Sequence, residues 1–319
     1  MHDVRCVVCA FLALAIIATM GFLAGCGRAG SSGSAREGGG STPGEGEPLL
    51  EDGETAPGEE GSVSEERGEV MPDAEGEEEA VVLTVVYDNN PYLEGLEAAW
   101  GFACLVEGRE KTVLFDTGGD GDMLLRNMSR LGIDPGIIDA VVISHAHSDH
   151  TGGLSRLLRA NPGLEVYLPG SCPEGLKESV RLSCSRLVEV SGAQRICEGI
   201  WTTGEMGGEV REQALVIRSG AGLLLVTGCA HPGVVKLAGK AGEVCSEEVC
   251  AVMGGFHLGG AGSGEVEATI SRLIALGVQY AGPCHCTGDM ATRAFRDAFG
   301  SCFIQVGAGR SISSTDISQ

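Results

Sequence analysis

The chain has 319 residues and a formal net charge of −22, with only 4% aromatic residues and 51 glycines. About 14 of those negative charges fall within residues 35–80, so the acidity belongs mainly to one segment. This balance argues against a nucleic-acid partner, whose phosphates require a basic face, while the length permits one large α/β domain or two average ones.

Residues 1–26 read as a targeting segment. Arg5 precedes the apolar run Cys6–Leu23, and small residues follow it. The end of this segment, Leu23-Ala24-Gly25-Cys26, resembles a bacterial lipobox, which implies a lipid on Cys26 and a new N-terminus there. The alternative is an uncleaved membrane helix, because the apolar run is close to spanning length. Either way the expected location is exported and membrane-anchored, on the extracytoplasmic face. Residues 27–79, rich in Gly, Ser, Glu and Pro, cannot bury enough apolar surface to offset their ordering entropy. They read as a flexible acidic linker before a folded domain at 80–312.

That domain opens with a strand at Val81–Tyr87, followed by a hairpin of Trp100–Glu107 and Lys111–Phe115. Asp122–Leu131 has near-helical apolar spacing in Met123, Leu124, Met128 and Leu131. Asp139–Ile143 is a buried strand, Thr151–Ala160 a helix and Leu164–Leu168 a further strand. Residues 171–200 carry no clear periodicity. A hairpin of Ala214–Arg218 and Leu223–Thr227 follows, then a strand at Val249–Met253 and a helix at Glu265–Leu276. The latter places Val266, Ile270, Leu273 and Ile274 on one face. A last β-α-β unit is expected from Val278 to Val306, with its helix at Thr287–Phe299.

The chemistry concentrates after the strand at 139–143, in Ser144-His145-Ala146-His147-Ser148-Asp149-His150-Thr151-Gly152-Gly153. Residues two apart on an extended segment point the same way, so His145, His147 and Asp149 are expected to converge. Imidazole and carboxylate are ligands that zinc-like metals prefer, and three histidines with an aspartate within six residues are hard to explain by packing. Three further histidines each follow an apolar strand. They lie in Thr227-Gly228-Cys229-Ala230-His231-Pro232-Gly233, in Gly254-Gly255-Phe256-His257-Leu258 and in Pro283-Cys284-His285-Cys286-Thr287-Gly288. Loops beyond strand ends are where a sheet scaffold presents ligands.

The H-x-H-x-D-H pattern resembles the metallo-β-lactamase superfamily over roughly residues 80–310. The three later motifs are similar to a subgroup named after a pterin-joining (dihydropterin/ribofuranosylaminobenzene phosphate) synthase, whose members are mostly known as metal-dependent hydrolases. The resemblance implies an αβ/βα four-layer sandwich with metals at one sheet edge. It implies a first metal on His145, His147 and His231 and a second on Asp149, His150 and His285, with Asp149 and His257 as candidate catalytic residues. The metals would be two divalent ions, zinc in the first instance and iron or manganese otherwise, sharing a water roughly 3.5–4 Å apart. Asp116 corresponds to a residue that orients metal-bound histidines; a turn aspartate before glycines is the other reading. Cys229 stands where the wider superfamily carries a bridging aspartate, as a thiolate ligand or a small packed residue. His257 is a substrate-facing donor, an alternative ligand or a core histidine.

The implied activity is hydrolysis of a small-molecule ester, phosphoester or lactone. The alternatives are a synthase that displaces pyrophosphate and a metal-dependent binding or sensing lipoprotein without turnover. Ten cysteines follow Cys26, and Cys245 with Cys250 is one conceivable disulfide in an exported setting.

Overall fold

The computed structural model describes residues 80–317. The expected leader, Cys26 and the acidic linker lie outside the described residues. Within them, no helix is long and apolar enough to cross a membrane.

The first half runs β1 (Val82–Asp88), β2 (Phe102–Glu107), β3 (Val113–Phe115), α1 (Gly121–Arg130), β4 (Ala140–Val142), α2 (Ser148–Thr151), α3 (Leu154–Ala160), β5 (Glu165–Pro169), α4 (Glu174–Arg181) and β6 (Arg186–Val190). The second half runs β7 (Gln194–Cys197), β8 (Ile200–Thr202), β9 (Met206–Gly207), β10 (Arg211–Glu212), β11 (Leu215–Ser219), β12 (Gly222–Thr227), α5 (Val234–Cys245), β13 (Val249–Gly255), α6 (Ser263–Ala275), β14 (Tyr280–Cys284), α7 (Asp289–Phe299) and β15 (Ser311–Ser313). One sheet has the order β15-β1-β2-β3-β4-β5-β6 and the other β14-β13-β12-β11-β8-β7, with β9 and β10 as a small separate ribbon.

Four layers follow from how the strands distribute their side chains. Phe102, Cys104 and Val106 of β2 point into the core between the sheets, while Ala103 and Leu105 face α1 and α3 residues on the outside. In β12, Leu224 and Val226 enter the shared core, whereas Leu223 and Leu225 pack with Val234, Leu237, Val266 and Phe295 of α5, α6 and α7. Strands buried on both faces must be apolar at nearly every position, which is why these segments read as continuous apolar runs. Each fully buried Phe or Leu contributes about 1.5–3 kcal/mol relative to exposure. The arrangement is the expected αβ/βα sandwich.

Three local features differ from expectation. The helix expected at Thr151–Ala160 is two pieces, α2 and α3, parted at Gly152 and Gly153. Both glycines press against backbone, Gly152 on the Gly119 carbonyl and Gly153 on the Thr117 carbonyl, where a side chain would collide. The final β-α-β unit keeps its helix but loses its second strand. After a single bridge from Ala281 to Phe303, the chain crosses to the first sheet and pairs β15 antiparallel to β1. Packing then continues through buried Ile317, with Ser314 N–H donating to the Val81 carbonyl. Finally, Cys245 and Cys250 are both free thiols rather than a disulfide.

Candidate metal centre

β3 and β4 run parallel in the first sheet, and β12, β13 and β14 run parallel in the second. The loops beyond their C-terminal ends carry Asp116, Ser144 to His150, Cys229 to His231, His257 and His285. Open α/β sheets present ligands outside the carboxyl ends of their strands, and two sheets do so here toward one common space.

The donors of the first half hang on Asp116, which is fully buried. Its Oδ1 accepts the backbone N–H of Ser144 at 2.7 Å, and its Oδ2 accepts the Ser144 hydroxyl at 2.7 Å and His150 Nδ1 at 2.6 Å. A carboxylate only accepts, so His150 carries a proton on Nδ1 and turns Nε2 toward the centre. Ser144, having donated to Asp116, accepts from His145 Nδ1 at 2.9 Å, which bares the Nε2 of His145. That nitrogen lies 3.0 Å from His147 Nδ1. Asp149 does not extend the row His145–His147. The chain turns helical at Ser148, which redirects Asp149 toward His150 and His285.

The donors of the second half hang on a carboxylate that sequence reasoning missed. Glu212 is fully buried and accepts three successive backbone N–H groups, from Cys229 at 2.9 Å and from Ala230 and His231 at 2.8 Å each. The one signal available was an acidic residue three positions before the buried strand β11. Gly228 lets this loop lie on Ser144 and Asp116, because any side chain there would collide with the Ser144 hydroxyl. On the far side, Asn89 Oδ1 accepts His285 Nδ1 at 2.9 Å and its amide nitrogen donates to the His285 carbonyl. Asn89, also missed, thereby aims the His285 Nε2 inward.

The result is two adjoining groups. His145, His147 and His231 bring their ring nitrogens within 4.8 Å of one another, and so do the ligand atoms of Asp149, His150, Cys229 and His285. A third group, Cys229, His257 and Cys286, shares the Cys229 thiol. The structure thus assembles the six expected donors in two groups, adds Cys229 to the second, and places His257 outside both but beside them, sharing the Cys229 thiol and lying with its ring centroid 4.3 Å from that of His231. Nε2 of His231 and Nε2 of His285 are buried without a hydrogen-bond partner. An unsatisfied buried nitrogen costs about 1–3 kcal/mol, so two of them aimed into one space fit cations as their missing partners.

The electrostatics suit the same use. Burial, reinforced by the neighbouring imidazoles, pushes His145 far below the ordinary histidine range, and burial beside His257 and His147 lowers His231 to about 4. Both therefore stay neutral, as a metal ligand must. Burial opposes ionisation of Asp149, but the close approach of His285, its Nε2 3.3 Å from Oδ2, and the charge of His150 outweigh it and hold the carboxyl well below its usual range. Burial also opposes protonation of His150, and Asp116 outweighs it, raising that ring. The hydrogen bond that the Cys229 thiol donates to Cys286, together with burial, pushes that thiol well above its ordinary value.

Among the described residues, five non-glycine residues have positive φ, and four of them are Asp116, Ala230, His257 and His285. Such conformations cost roughly 1–3 kcal/mol each and persist where surrounding structure enforces them. Their concentration here marks the loops as shaped for the site rather than for folding ease.

Comparison with known proteins adds the family. Residues 101–232 match the metallo-beta-lactamase superfamily. A 7,8-dihydropterin-6-methyl-4-(beta-D-ribofuranosyl)-aminobenzene-5'-phosphate synthase from Methanocaldococcus jannaschii is 30% identical over 280 residues, covering 72% of this chain and 95% of the relative. This chain belongs to the metallo-β-lactamase superfamily. A crystal structure of a metal-dependent hydrolase of the β-lactamase superfamily aligns at a TM-score of 0.62 with 29% identity, covering 73% of this chain and 98% of the other. The metallo-β-lactamase fold protein YhfI from Bacillus subtilis aligns at 0.57 with 15% identity, over 74% and 100% of the two chains, and speaks to the fold alone. Superfamily members bind metals, and the histidine, aspartate and cysteine groups of this chain could hold them. His231 enters the first group from the loop beyond β12.

Proposed function

We propose that this protein is a hydrolase that holds two divalent metal ions, zinc in the first instance and iron or manganese otherwise, and cleaves a small ester, phosphoester or lactone. The reading includes export and anchoring through a lipid on Cys26. The observation that carries it is the adjacency of the two donor groups with bare, buried ring nitrogens in each. Metals bound there would acidify a water and polarise a substrate oxygen, so no serine or cysteine nucleophile is required.

The chain's own residues supply the remaining work. His145, His147 and His231 would hold the first ion, and Asp149, His150, Cys229 and His285 the second. Asp149 Oδ2, 3.3 Å from His285 Nε2 and 3.5 Å from His150 Nε2, is an ionised carboxylate placed to hold and orient the attacking water by accepting its hydrogen bond. The exposed His257, whose ring centroid lies 4.3 Å from that of His231, is proposed to protonate the leaving group from the rim. Asp116, Ser144 and Asn89 fix the tautomers of the rings.

A second reading has the same centre assist displacement of pyrophosphate by an arylamine. The 30% identity to the archaeal synthase favours it. Export weighs against it, because phosphorylated intermediates of that kind are expected inside the cell.

Metal analysis with turnover of a phosphodiester and a lactone panel tests the proposal. Wild type should carry about two ions per chain. His231→Ala should lose one ion and nearly all turnover, and Cys229→Ser should loosen the second ion. One tightly held ion at every metal concentration would sink the dinuclear reading. Turnover of pyrophosphate esters only in the presence of an arylamine would select the synthase.

A further inference from the structure

Cys286 lies outside the two donor groups, yet its thiol touches a member of the second. Cys229, His257 and Cys286 bring their ligand atoms within 4.8 Å of one another. The Cys229 thiol donates a hydrogen bond to Cys286, and the Cys286 thiol donates to the Cys229 carbonyl at 3.6 Å. Both thiols are free.

Three strand ends hold the pair together. β12 leads to Cys229 and β14 to Cys286, with β13 between them in the sheet. The Gly255 N–H at the end of β13 donates to the Gly228 carbonyl. Just beyond it, the Phe256 N–H donates to the Thr287 hydroxyl and the Gly259 N–H to the Cys286 carbonyl. Both cysteine loops are therefore tied to the same third loop. Gly255 lets the two residues approach, because a Cβ there would lie 2.7 Å from Cys286 Sγ and 3.2 Å from the Cys229 Cα. A disulfide sets its sulfurs about 2 Å apart, so the gap to close is one of side-chain scale.

Access is divided between the two thiols. Cys286 is partly exposed and Cys229 is buried. An oxidant arriving from solvent meets Cys286 first, and Cys229 is the neighbour placed to resolve what forms there. Cys229 also has a competing use. Its sulfur lies 3.2 Å from His150 Nε2 and within 4.8 Å of the ligand atoms of Asp149 and His285. One sulfur cannot serve both sides, since a disulfide sulfur no longer ionises and is lost as a metal ligand.

We propose that Cys229 and Cys286 form a reversible disulfide when a hydroperoxide reaches Cys286, and that this bond removes the Cys229 sulfur from the second donor group. The Cys286 sulfur attacks one peroxide oxygen, so an S–O bond forms, the O–O bond breaks and, with hydrogen peroxide, one water leaves. The Cys229 sulfur then attacks the Cys286 sulfur. The S–S bond forms, and the hydroxyl departs with the thiol proton as a second water. Two thiols lose two electrons and two protons, and one peroxide is reduced to two waters. The competition with an ion rests on the two-metal reading, whereas the disulfide itself does not.

The test reads covalent state and zinc content, so it does not depend on turnover. Full-length protein is treated with hydrogen peroxide at neutral pH in two forms, stripped with a chelator and reloaded with zinc. Denaturation, alkylation, digestion and mass spectrometry then locate each thiol. The stripped protein should yield a Cys229–Cys286 crosslink that dithiothreitol reverses, and zinc should slow its formation about tenfold or more. Oxidised wild type should bind its second zinc about tenfold more weakly than reduced protein, whereas peroxide should leave zinc binding by Cys286→Ser unchanged. Sulfinic or sulfonic acid on Cys286 with Cys229 left free would overturn the proposal. Crosslinks spread over the other cysteines without favouring this pair would overturn it too, as would an undiminished rate in protein shown to carry two zinc ions. A chain that takes up no zinc yet closes the disulfide would keep the modification site and lose the metal reading.

Discussion

Asp116 and Glu212 are both fully buried carboxylates, each bracing the donor loop of one half of the molecule, yet they brace different things. Asp116 accepts from one backbone N–H, one hydroxyl and one imidazole, so it sets the protonation and aim of rings. Glu212 accepts only backbone N–H groups and sets the path of a loop, leaving the His231 ring to follow. The first half can rely on a strand end and α2 to place its loop, so its carboxylate is free for tautomer control. The second half has a tight turn through Ala230 at φ +58° and needs its carboxylate for the backbone itself.

This contrast makes the two residues separable by experiment. The largest effect is expected from Glu212→Ala, which strands three N–H groups and should cost about 3 kcal/mol or more in stability, roughly 6–12 °C in melting temperature. Glu212→Gln, which keeps an acceptor, should cost less. Urea and thermal unfolding of the metal-free proteins provide the measurement. Asp116→Asn should behave in the opposite way. Metal affinity should drop about 10–100-fold through misaimed rings, with a smaller change in metal-free stability. Competition with a chelator would show it. If Asp116→Asn unfolds the protein while Glu212→Ala alters only metal affinity, the division of labour is inverted.

The smallest effect is in pH dependence. The unfolded His231 protonates near 6.5 and the folded one near 4, so the unfolded state binds the additional proton between those values. Stability from this ring is fully present above the unfolded value and is lost as pH falls through that window. His145 contributes with the same sign. His150 is raised and so contributes in the reverse sense, with stability lost as pH rises through its folded value. Metal-free wild type should therefore lose more stability between pH 6.5 and 4.5 than His231→Gln does. Parallel losses in the two proteins would show that the ring is not held neutral by the fold.

Most strands were legible because burial on both faces demands continuous apolar runs, as at Val82–Asp88 and Val249–Gly255. The helix α5 was not among the expected elements. It carries Gly239 and Gly242, opens with two β-branched valines and has no side-chain cap, so local propensity speaks against it. It forms because Val234, Leu237, Ala238 and Ala241 cover the outer face of the second sheet. The last strand went to the other sheet for a related reason. The β1 edge offered the Val85 N–H and carbonyl to Arg310 and Gly309, a long-range pairing that no local pattern announces.

At the centre, the sequence by itself determined the donor types and their order. Histidine, aspartate and cysteine chemistry is carried by the side chain wherever it lies, and strand-end placement follows from the apolar runs before each motif. Only the tertiary structure decided the partition. A one-residue change from extended to helical backbone at Ser148 moved Asp149 out of line with His145 and His147. The Cys229 thiol came to lie 3.2 Å from His150 Nε2, across 79 residues of chain. Glu212, Asn89 and Cys286 acquire their meaning only from neighbours supplied by distant strands. Side-chain chemistry is a local property, whereas the aim of a ring and the partner of a buried charge depend on packing between sheets.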